Sequence, residues 1–582
     1  MLLKSENIDL NIDRFKSFYH SWQFKILQDL YHEDLKAKNF KIKADFLKEN
    51  ISKSNKELLK TLKELDSRHK YKRYYEKLIA LLMYKNIDEA SFQQNLEKIN
   101  EKSEKRKGNG VYYTPEDVSS FIIFNSFNLL KHDKGELLNN ITPLFNKTNE
   151  DVITKTMLDP TCGTGAFLVK AFDIKVELAK KFYDGNVSDD VLLSIVRSLY
   201  GNDIDMFSTY VSQTRILFKA INLSATINIC EIMNILKKNF FNFDFISSYE
   251  KIRKKFDFIV GNPPYVEKSK CQSLSSVKYG NIYADVVENS LKLLNEKGIL
   301  GYVIPLSYVS TSRFSELRAT IMHNTSLEYI LSFADRPDCL FSGVHQKLNI
   351  LLAKKQKSDI HKVFTSDYMY WYKNQRNSLF NNIAISLNQY INDNYYPKLG
   401  NELEQKIYQK VSTGLNNINS LIGDGNEKLY VNMRAAFWIK SFIKKPYKSN
   451  EYKEFLLSEK NLHLVNIILN SSLFWWFWVK VSDCWHLTNK EFTTFSIPNL
   501  SEVNEKKVIE LSKKINDVLE KTKERVDTKQ TMFEYKHKRC KYILDEIDDY
   551  LAVLYGFSEE ELKYIKHYKE NYRLGIPNGE CN

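Results

Sequence analysis

The 582-residue sequence predicts an α/β fold with a parallel sheet at its centre, preceded by helices and followed by a mixed region. Short apolar segments alternate with helical stretches at residues 152–158, 192–200, 256–260 and 298–304, and this alternation is typical of βαβ units. Apolar residues at helical spacing fill residues 1–107 and return near the end of the chain. We therefore divide the sequence into segments 1–107, 108–355, 356–500 and 501–582.

Composition narrows the class of protein. Hydrophobic residues make up 43% of the chain and aromatic residues 13%, which excludes a disordered protein. No apolar run reaches the roughly 18 residues of a membrane span, and the N-terminus lacks a signal-peptide core, so we expect a cytoplasmic protein with no membrane partner. Seven cysteines without a Cys-x-x-Cys pair argue against a metal site.

The net charge of +13 is uneven along the chain. Residues 1–110 carry a net +7 and residues 356–500 a net +5, so the two segments hold most of the excess. Basic, aromatic-rich segments favour a nucleic-acid partner. A solvated lysine-rich surface would give the same count, and it stands as the alternative.

A glycine-rich turn follows the first strand of the predicted sheet. Asp159-Pro-Thr-Cys-Gly-Thr-Gly165 leads into a helical run, and its glycines let a ligand touch backbone amides at a helix N-terminus. The next strand ends at Asp203, where an acidic residue typically holds ribose hydroxyls. No Gly-Lys-Ser/Thr follows, which excludes a P-loop. A purely structural strand–helix turn is the alternative.

The most specific pattern is Asn262-Pro-Pro-Tyr265, which directly follows an apolar strand. The two prolines remove two amide donors, so carbonyl groups and the side-chain oxygen of Asn262 remain as acceptors. Two acceptors on the hydrogens of a planar amine can draw its nitrogen towards a pyramidal, nucleophilic geometry. The amine can then attack a sulfonium methyl group, while Tyr265 offers a flat face to an extruded base.

These patterns, together with Gly110-Val-Tyr-Tyr-Thr-Pro115, resemble the ordered motifs of amino-group DNA methyltransferases, and more narrowly the gamma-class N6-adenine enzymes of bacterial restriction–modification systems. The resemblance covers residues 108–355 firmly and extends loosely to the C-terminus. It implies a Rossmann-like S-adenosylmethionine-dependent domain that methylates adenine N6 in double-stranded DNA by base flipping. It also implies a target-recognition region at 356–500 and allows a separate restriction endonuclease as a partner.

The resemblance assigns a cofactor-binding set: Thr114, Asp159, Thr161, Gly163, Gly165, Asp203, Ile204, Asn239, Phe240, Asp244 and Pro264. Thr114 would contact the methionine end beside Asp159 and Thr161, Asp203 would bind the ribose, and Ile204 would pack on the adenine. Asn239-Phe240 takes the place of an acidic residue and an aromatic that normally contact the cofactor adenine, with Asp244 as the second candidate.

The catalytic set consists of Asn262, Pro263 and Tyr265, and Phe341 matches the aromatic that stacks on the flipped base opposite the tyrosine. A core phenylalanine is the alternative for Phe341. DNA contacts are expected in 356–500, with six candidates that could equally be phosphate contacts or solvated charges: Arg376, Lys428, Arg434, Lys440, Lys444 and Lys445.

Other readings of the sequence fare less well. No Pro-Cys pair supplies the thiolate that cytosine C5 methylation needs, so Cys162 is interpreted as a packing residue. Residues 1–107 carry no nuclease motif outside a helical segment, so no cleavage activity is expected; their helices would contact phosphates or form a bundle. Methylation of RNA or of a glutamine amide, and a specificity subunit with an inactive site, are the remaining alternatives.

Overall fold

The computed structural model describes residues 114–131, 137–147, 150–224, 226–270, 278–341, 343–381, 383–446, 451–528 and 531–575. These residues belong to two compact units: residues 150–248 form the first, and residues 114–147 with 249–575 form the second. The helices expected in residues 1–107 lie outside the described residues. The boundary between the units falls within the segment 108–355, and the division at residues 356 and 501 stays a proposal.

The first unit contains a small parallel sheet in the order β3-β2-β1, with β1 at Met157–Asp159, β2 at Leu199–Asn202 and β3 at Phe240–Phe241. Its helices are Ala166–Phe182, Asp189–Arg197, Met206–Leu223, Ile229–Asn239 and Phe245–Ser248. This succession of strand, helix and parallel strand confirms the predicted α/β class.

The strand expected at 192–200 is mostly a helix. Residues up to Arg197 complete the helix Asp189–Arg197, and β2 begins only at Leu199. Leu192, Leu193, Ile195 and Val196 form the buried side of that helix. A short apolar run can serve a buried strand or one face of a helix, which explains the difference.

The second unit carries a larger mixed sheet in the order β4-β5-β7-β6-β8-β9. Its strands are Phe256–Gly261, Leu294–Pro305, Thr325–Phe333, Leu348–Lys355, Lys362–Met369 and Ile385–Leu387, numbered β4 to β9 along the chain. Strand β5 is parallel to β4 and antiparallel to β7. Helices Glu116–Lys131, Leu144–Lys147, Ile282–Leu293, Ser307–Ser310 and Ser315–Asn324 accompany this sheet.

Helix Glu116–Lys131 packs closely on β5 because the strand has a glycine at the crossing. A Cβ at Gly301 would lie 2.8 Å from Cγ2 of Ile122 and 3.0 Å from Oγ of Ser126, so any larger residue would push the helix away. Beneath this helix, the residues of β5 from Gly298 to Pro305 are buried.

The remainder of the second unit combines small antiparallel sheets with helices. The first sheet has the order β11-β10-β12, with β10 at Glu427–Asn432, β11 at Ser441–Phe442 and β12 at Tyr452–Leu457. A two-stranded ribbon joins β13, Glu524–Arg525, to β14, Phe533–Glu534. The helices are Glu402–Ser412, Glu459–Asn470, Ser472–Val481, Asn489–Thr494, Glu505–Thr522, Lys541–Tyr555, Glu559–His567 and Glu570–Leu574.

Helix Ser472–Val481 forms the aromatic core of this region. Trp475, Trp476 and Trp478 are at most 1% exposed, which confirms that they are core residues. The fully buried Lys480 bonds Oδ1 of Asp367 at 2.6 Å and Oε1 of Glu404 at 2.5 Å, so its charge is paired. Among the described residues no single helix is long and apolar enough to cross a membrane; Glu459–Asn470 and Ser472–Val481 reach that length only as a pair bent by 67°.

Candidate cofactor and catalytic sites

The glycine-rich turn after β1 is fixed by the backbone. The amide of Cys162 donates to the carbonyl of Asn202 at 2.8 Å, and the amide of Gly165 donates to the carbonyl of Cys162 at 2.8 Å. Gly165 is the N-cap of helix Ala166–Phe182 and has a φ of +87°. A Cβ there would lie 2.3 Å from Oγ of Ser212, so the turn requires glycine for both conformation and space.

Gly163 differs from Gly165 in its surroundings. Its φ is +51°, but no heavy atom of the described residues outside its own turn lies within 4 Å of the position that a Cβ would take. Its amide donates to Oδ2 of Asp203 at 2.8 Å, and the amide of Asp205 donates to Oδ1 of the same carboxylate at 2.9 Å. The acidic residue at the end of β2 is therefore joined directly to the turn after β1, while the outer side of Gly163 is open.

Burial raises the pKa values of Asp159, Cys162 and Asp203, which lie in and beside the glycine-rich turn. Burial raises the pKa of Asp159 well above its usual range, although the amide of Thr161 donates to its Oδ1 at 3.1 Å and opposes the shift. Burial likewise raises the pKa of Asp203 to about 6, against the hydrogen bonds from Asp205 and Gly163. Burial also raises the pKa of the Cys162 thiol, so the thiolate needed for nucleophilic attack is disfavoured at neutral pH.

Three further observations fit a nucleoside-containing cofactor in the first unit. Oγ1 of Thr161 is buried and has no hydrogen-bond partner among the described residues. Ile204, next to Asp203, exposes 68% of its surface, although isoleucine is usually buried. The open side of Gly163 leaves room for a ligand to approach the backbone. The turn therefore offers a hydroxyl, a carboxylate and an apolar surface close together in sequence.

Asn239 and Phe240, for which a contact with a cofactor adenine is expected, are held by contacts within the fold. The amide nitrogen of Asn239 donates to the carbonyls of Arg197 and Leu199 at 3.1 and 3.0 Å, which uses both of its hydrogens. Phe240 is buried, and a Cβ at Gly201 would lie 2.5 Å from its ring. Asp244, half-buried, instead accepts hydrogen bonds from the amide of Ile246 and the hydroxyl of Ser247.

Two asparagines that the sequence did not single out organise this edge. Asn202 donates to the carbonyls of Pro160 and Phe243 at 3.0 and 3.1 Å, and so ties the ends of β1, β2 and β3 together. Asn242 donates to the carbonyls of Asp203 and Ile204 at 2.8 and 3.2 Å. Both asparagines stand at the end of a strand, and this position in the sequence could have predicted their role.

The segment Asn262–Tyr265 belongs to the second unit and directly follows β4, as predicted. Pro263 is buried, whereas Asn262, Pro264 and Tyr265 are half-buried. The hydroxyl of Tyr265 donates a hydrogen bond to Oδ1 of Asn262 and lies 3.0 Å from the carbonyl oxygen of Val303 in β5. The tyrosine therefore contacts the side-chain acceptor itself, a link that the sequence did not predict.

Glu267, Asn281 and Arg313 form a clamp on the backbone that follows Tyr265. The carboxylate of Glu267 accepts hydrogen bonds from Nδ2 of Asn281 at 3.0 Å and from Nη2 of Arg313 at 2.6 Å. The amide of Lys268 donates to the carbonyl of Gly280 at 2.8 Å. Helix Ile282–Leu293 begins directly beyond this clamp, so the backbone after Tyr265 is held to a regular element.

Phe341 and Thr114 are both buried in the second unit. Phe341 is 2% exposed, and its carbonyl accepts from Sγ of Cys339 at 3.0 Å and from the amide of Val344 at 2.9 Å. A side chain that stacks on a base must be accessible, so the structure favours the core alternative for Phe341. Thr114 is 4% exposed and lies just before helix Glu116–Lys131.

The first two candidate DNA contacts are engaged in ion pairs. Nε and Nη2 of Arg376 bond the two oxygens of Asp117 at 2.6 and 2.9 Å, so the guanidinium anchors the start of helix Glu116–Lys131. Lys428 pairs with Glu454 on the neighbouring strand at 2.9 Å, although its side chain is 54% exposed. Arg376 is therefore a structural residue in this fold rather than a free cation.

The other four candidates are more varied. Arg434 is 57% exposed and lies 3.9 Å from Glu451. Lys440 is half-buried and lines a cavity of about 220 Å³ together with Glu451, and burial lowers its pKa. Lys444 and Lys445 are exposed. Only the exposed members of this group present a charge that an external phosphate can reach.

Comparisons with known proteins agree with these features. The model of a family described as Eco57I restriction-modification methylase matches residues 197–339, which include Asp203 and Asn262–Tyr265. The chain is 24% identical over 257 residues to the Type II methyltransferase M.VspI of Vibrio sp. (strain 343), covering 43% of this chain and 49% of that protein. It is 21% identical over 418 residues to RM.Eco57I of Escherichia coli, a Type II restriction enzyme and methyltransferase, covering 62% and 40%.

Solved structures of restriction–modification enzymes are among the similar proteins. The Type IIL restriction–modification enzyme MmeI in complex with DNA aligns with a TM-score of 0.49 and 14% identity, covering 86% of this chain and 83% of that one. The matched parts span half or less of the two curated relatives. The family match and the curated relatives confirm the resemblance to the methyltransferases of restriction–modification systems.

Proposed function

We propose that the protein is a gamma-class, S-adenosylmethionine-dependent DNA methyltransferase that modifies the N6 amino group of adenine in double-stranded DNA. The observation that carries this proposal is the segment Asn262–Tyr265, which follows directly after a buried strand. Its two prolines have no amide hydrogen to donate, and the side-chain oxygen of Asn262 is a hydrogen-bond acceptor. Such a segment suits a planar amino substrate, because it offers acceptors and withholds amide donors.

Cofactor binding is assigned to the first unit. Asp203 would hold the ribose hydroxyls, Ile204 would cover the adenine, and the open side of Gly163 would admit the cofactor to the backbone; the free hydroxyl of Thr161 supports this choice. Asp244 is preferred to Asn239 as the adenine contact, because its carboxylate is half-buried whereas Asn239 is only 7% exposed. The resemblance adds Asp159 and Gly165 of the same unit; Thr114 and Pro264, which belong to the second unit, stay predictions from the resemblance.

The chemistry is assigned to the second unit. When bound, S-adenosylmethionine supplies an electrophilic methyl group. Oδ1 of Asn262 and the carbonyl of Pro263 accept the two hydrogens of the adenine amine and favour its pyramidal geometry. Because an amide oxygen has two lone pairs, Asn262 can accept from the amine while the hydroxyl of Tyr265 holds it in place. The target base must leave the duplex to reach these groups, and the ring of Tyr265 is its stacking partner.

The cellular setting follows from the same proposal. The protein would act in the cytoplasm on chromosomal DNA, with residues 356–500 recognising the sequence and a separate restriction endonuclease as its natural counterpart. Of the DNA contacts expected there, the exposed Arg434, Lys444 and Lys445 remain the best candidates.

The test is expression in a bacterial host that lacks its own DNA methylation, followed by sequencing that detects modified bases. We expect N6-methyladenine at one sequence motif with the wild-type chain and none with Asn262→Ala. The exposed Asn139, in the same unit but outside residues 356–500, provides the matched control Asn139→Ala, which should methylate normally. Modified cytosine, or full methylation by Asn262→Ala, would refute the proposal.

A further inference from the structure

Trp485 lies at the surface, unlike four other tryptophans of the described residues. Its exposed fraction is 38%, whereas Trp371, Trp475, Trp476 and Trp478 are each at most 2% exposed. A single exposed tryptophan can be incidental. The turn that holds Trp485 and the cations near its ring indicate a function for this residue.

A strained turn holds the ring at the surface. The residue before it, Cys484, has a φ of +56°, a conformation that residues with a side chain rarely adopt. Oδ1 of Asp483 accepts the amides of Trp485 and His486 at 2.9 and 2.8 Å, and the carbonyl of Trp485 accepts from the amide of Ala435 at 3.1 Å. The turn is thus specified by several contacts, and strain that is retained in this way is typical of functional positions.

Cations from other parts of the chain surround the ring. Nζ of Lys347 lies 4.6 Å from the ring centroid, and the guanidinium carbon of Arg336 lies 5.9 Å from it. Residues distant in sequence therefore bring one tryptophan and two basic side chains together on the second unit.

The positive charges in this cluster are only partly compensated. Within the described residues no carboxylate lies within ion-pair distance of the exposed Arg336. Lys347 is 3.8 Å from Asp335 and only 15% exposed, so Arg336 is the cation that an external phosphate can reach. The side chain of Asp483 bonds the turn and the ring of His486 at 2.8 Å. A guanidinium without a carboxylate beside an aromatic ring offers one contact to a phosphate and another to a base or sugar.

We propose that Arg336 and Trp485, the Trp485 surface, bind a strand of the DNA substrate. Trp485 stacks on a base or packs on a sugar, Arg336 contacts a neighbouring phosphate, and Lys347 supports the ring. This combination of an aromatic platform with basic groups is the one that nucleic-acid strands require. The inference rests on the proposed function, because it adds a contact for the same DNA.

The experiment measures binding and methylation separately, on labelled genomic fragments from a methylation-free host. Trp485→Ala should weaken DNA binding about tenfold, in line with the loss of one stacking contact, and Trp485→Phe should restore most of it. Arg336→Gln should lower the slope of log affinity against log salt by about 0.9, the value for one lost phosphate contact. Tyr542→Ala and Arg525→Gln change exposed residues elsewhere in the second unit and should bind like wild type.

The results distinguish a failure of the Trp485 surface from a failure of the proposed function. If wild type methylates the fragments but Trp485→Ala and Arg336→Gln bind them within twofold of wild type, the Trp485 surface is not a DNA contact and the proposed function stands. If wild type transfers no methyl group, the proposed function fails, while the binding data still decide the surface. A change in oligomeric mass without a change in DNA binding would mark a protein interface and overturn the inference. Unchanged melting temperatures for the variants exclude misfolding as the cause.

Discussion

Gly163 and Gly165 lie in one turn and both have positive φ angles, yet replacing each with alanine should have different consequences. At Gly163 a methyl group would meet no heavy atom of the described residues outside its own turn within 4 Å, whereas at Gly165 it would lie 2.3 Å from Oγ and 2.9 Å from Cβ of Ser212. Gly163→Ala should therefore leave the fold nearly intact, and Gly165→Ala should damage it.

The magnitudes follow from these contacts. An alanine in the left-handed region costs about 1–2 kcal/mol, and this is the whole expected loss of stability for Gly163→Ala. At Gly165 an overlap with a packed helix adds about 1–3 kcal/mol, for a total of about 2–5 kcal/mol. Because the open side of Gly163 is the proposed approach of the cofactor, the mild variant should lose S-adenosylmethionine binding at least tenfold.

Thermal melting and titration calorimetry with S-adenosylmethionine measure the two effects. The expected pattern is a small decrease in melting temperature with a large loss of affinity for Gly163→Ala, and a large decrease in melting temperature for Gly165→Ala. Ser212→Gly should recover part of the stability of Gly165→Ala, because it removes the two nearest atoms. Wild-type affinity in Gly163→Ala would refute the assignment of the cofactor to this turn.

Three further predictions concern single residues. Tyr265→Phe keeps the ring but loses the hydrogen bond to Asn262, so single-turnover methylation should slow about 2- to 13-fold with little change in DNA affinity, and an unchanged rate would show that the hydroxyl is dispensable. Since the pKa of Asp203 is raised from 3.8 to about 6, its carboxylate is lost as pH falls through 6; cofactor affinity measured by calorimetry should drop there, and Asp203→Asn should bind weakly at every pH. The same shift makes folding stability fall as pH rises from 3.8 to about 6, since the native state binds the proton more tightly, and a flat melting profile in wild type would contradict it. Glu267→Gln removes the charge that pairs with Arg313, so it should lower the methylation rate several-fold without changing cofactor affinity, and a rate equal to wild type would show that the clamp does not position Asn262.

The central patterns were predictable because each is local. The strand before Asn262 runs directly into the proline pair, and the glycines of the turn at 159–165 must occupy a tight bend between strand and helix. The strand at 192–200 was misassigned because the same apolar residues serve as one face of a helix that ends at Arg197.

Tertiary contacts add what the sequence could not reveal at single residues. Asn239 matches a motif by its place in the sequence, and in the fold its amide donates to the backbone of residues 197 and 199. Arg376 pairs with Asp117, 259 residues earlier in the sequence. Trp485 is held at the surface by a turn, and the cations near its ring, Arg336 and Lys347, come from a distant part of the sequence. Local sequence patterns reveal neither.

The most direct measurement of the proposed chemistry is transfer of a deuterated methyl group from S-adenosylmethionine to unmethylated DNA, followed by mass spectrometry of the nucleosides. Wild-type protein should yield N6-(trideuteromethyl)deoxyadenosine, and Asn262→Ala should yield less than a tenth of it while still binding S-adenosylmethionine. Label in cytosine, label in no nucleoside, or equal label from Asn262→Ala would contradict adenine methylation at the Asn262–Tyr265 segment.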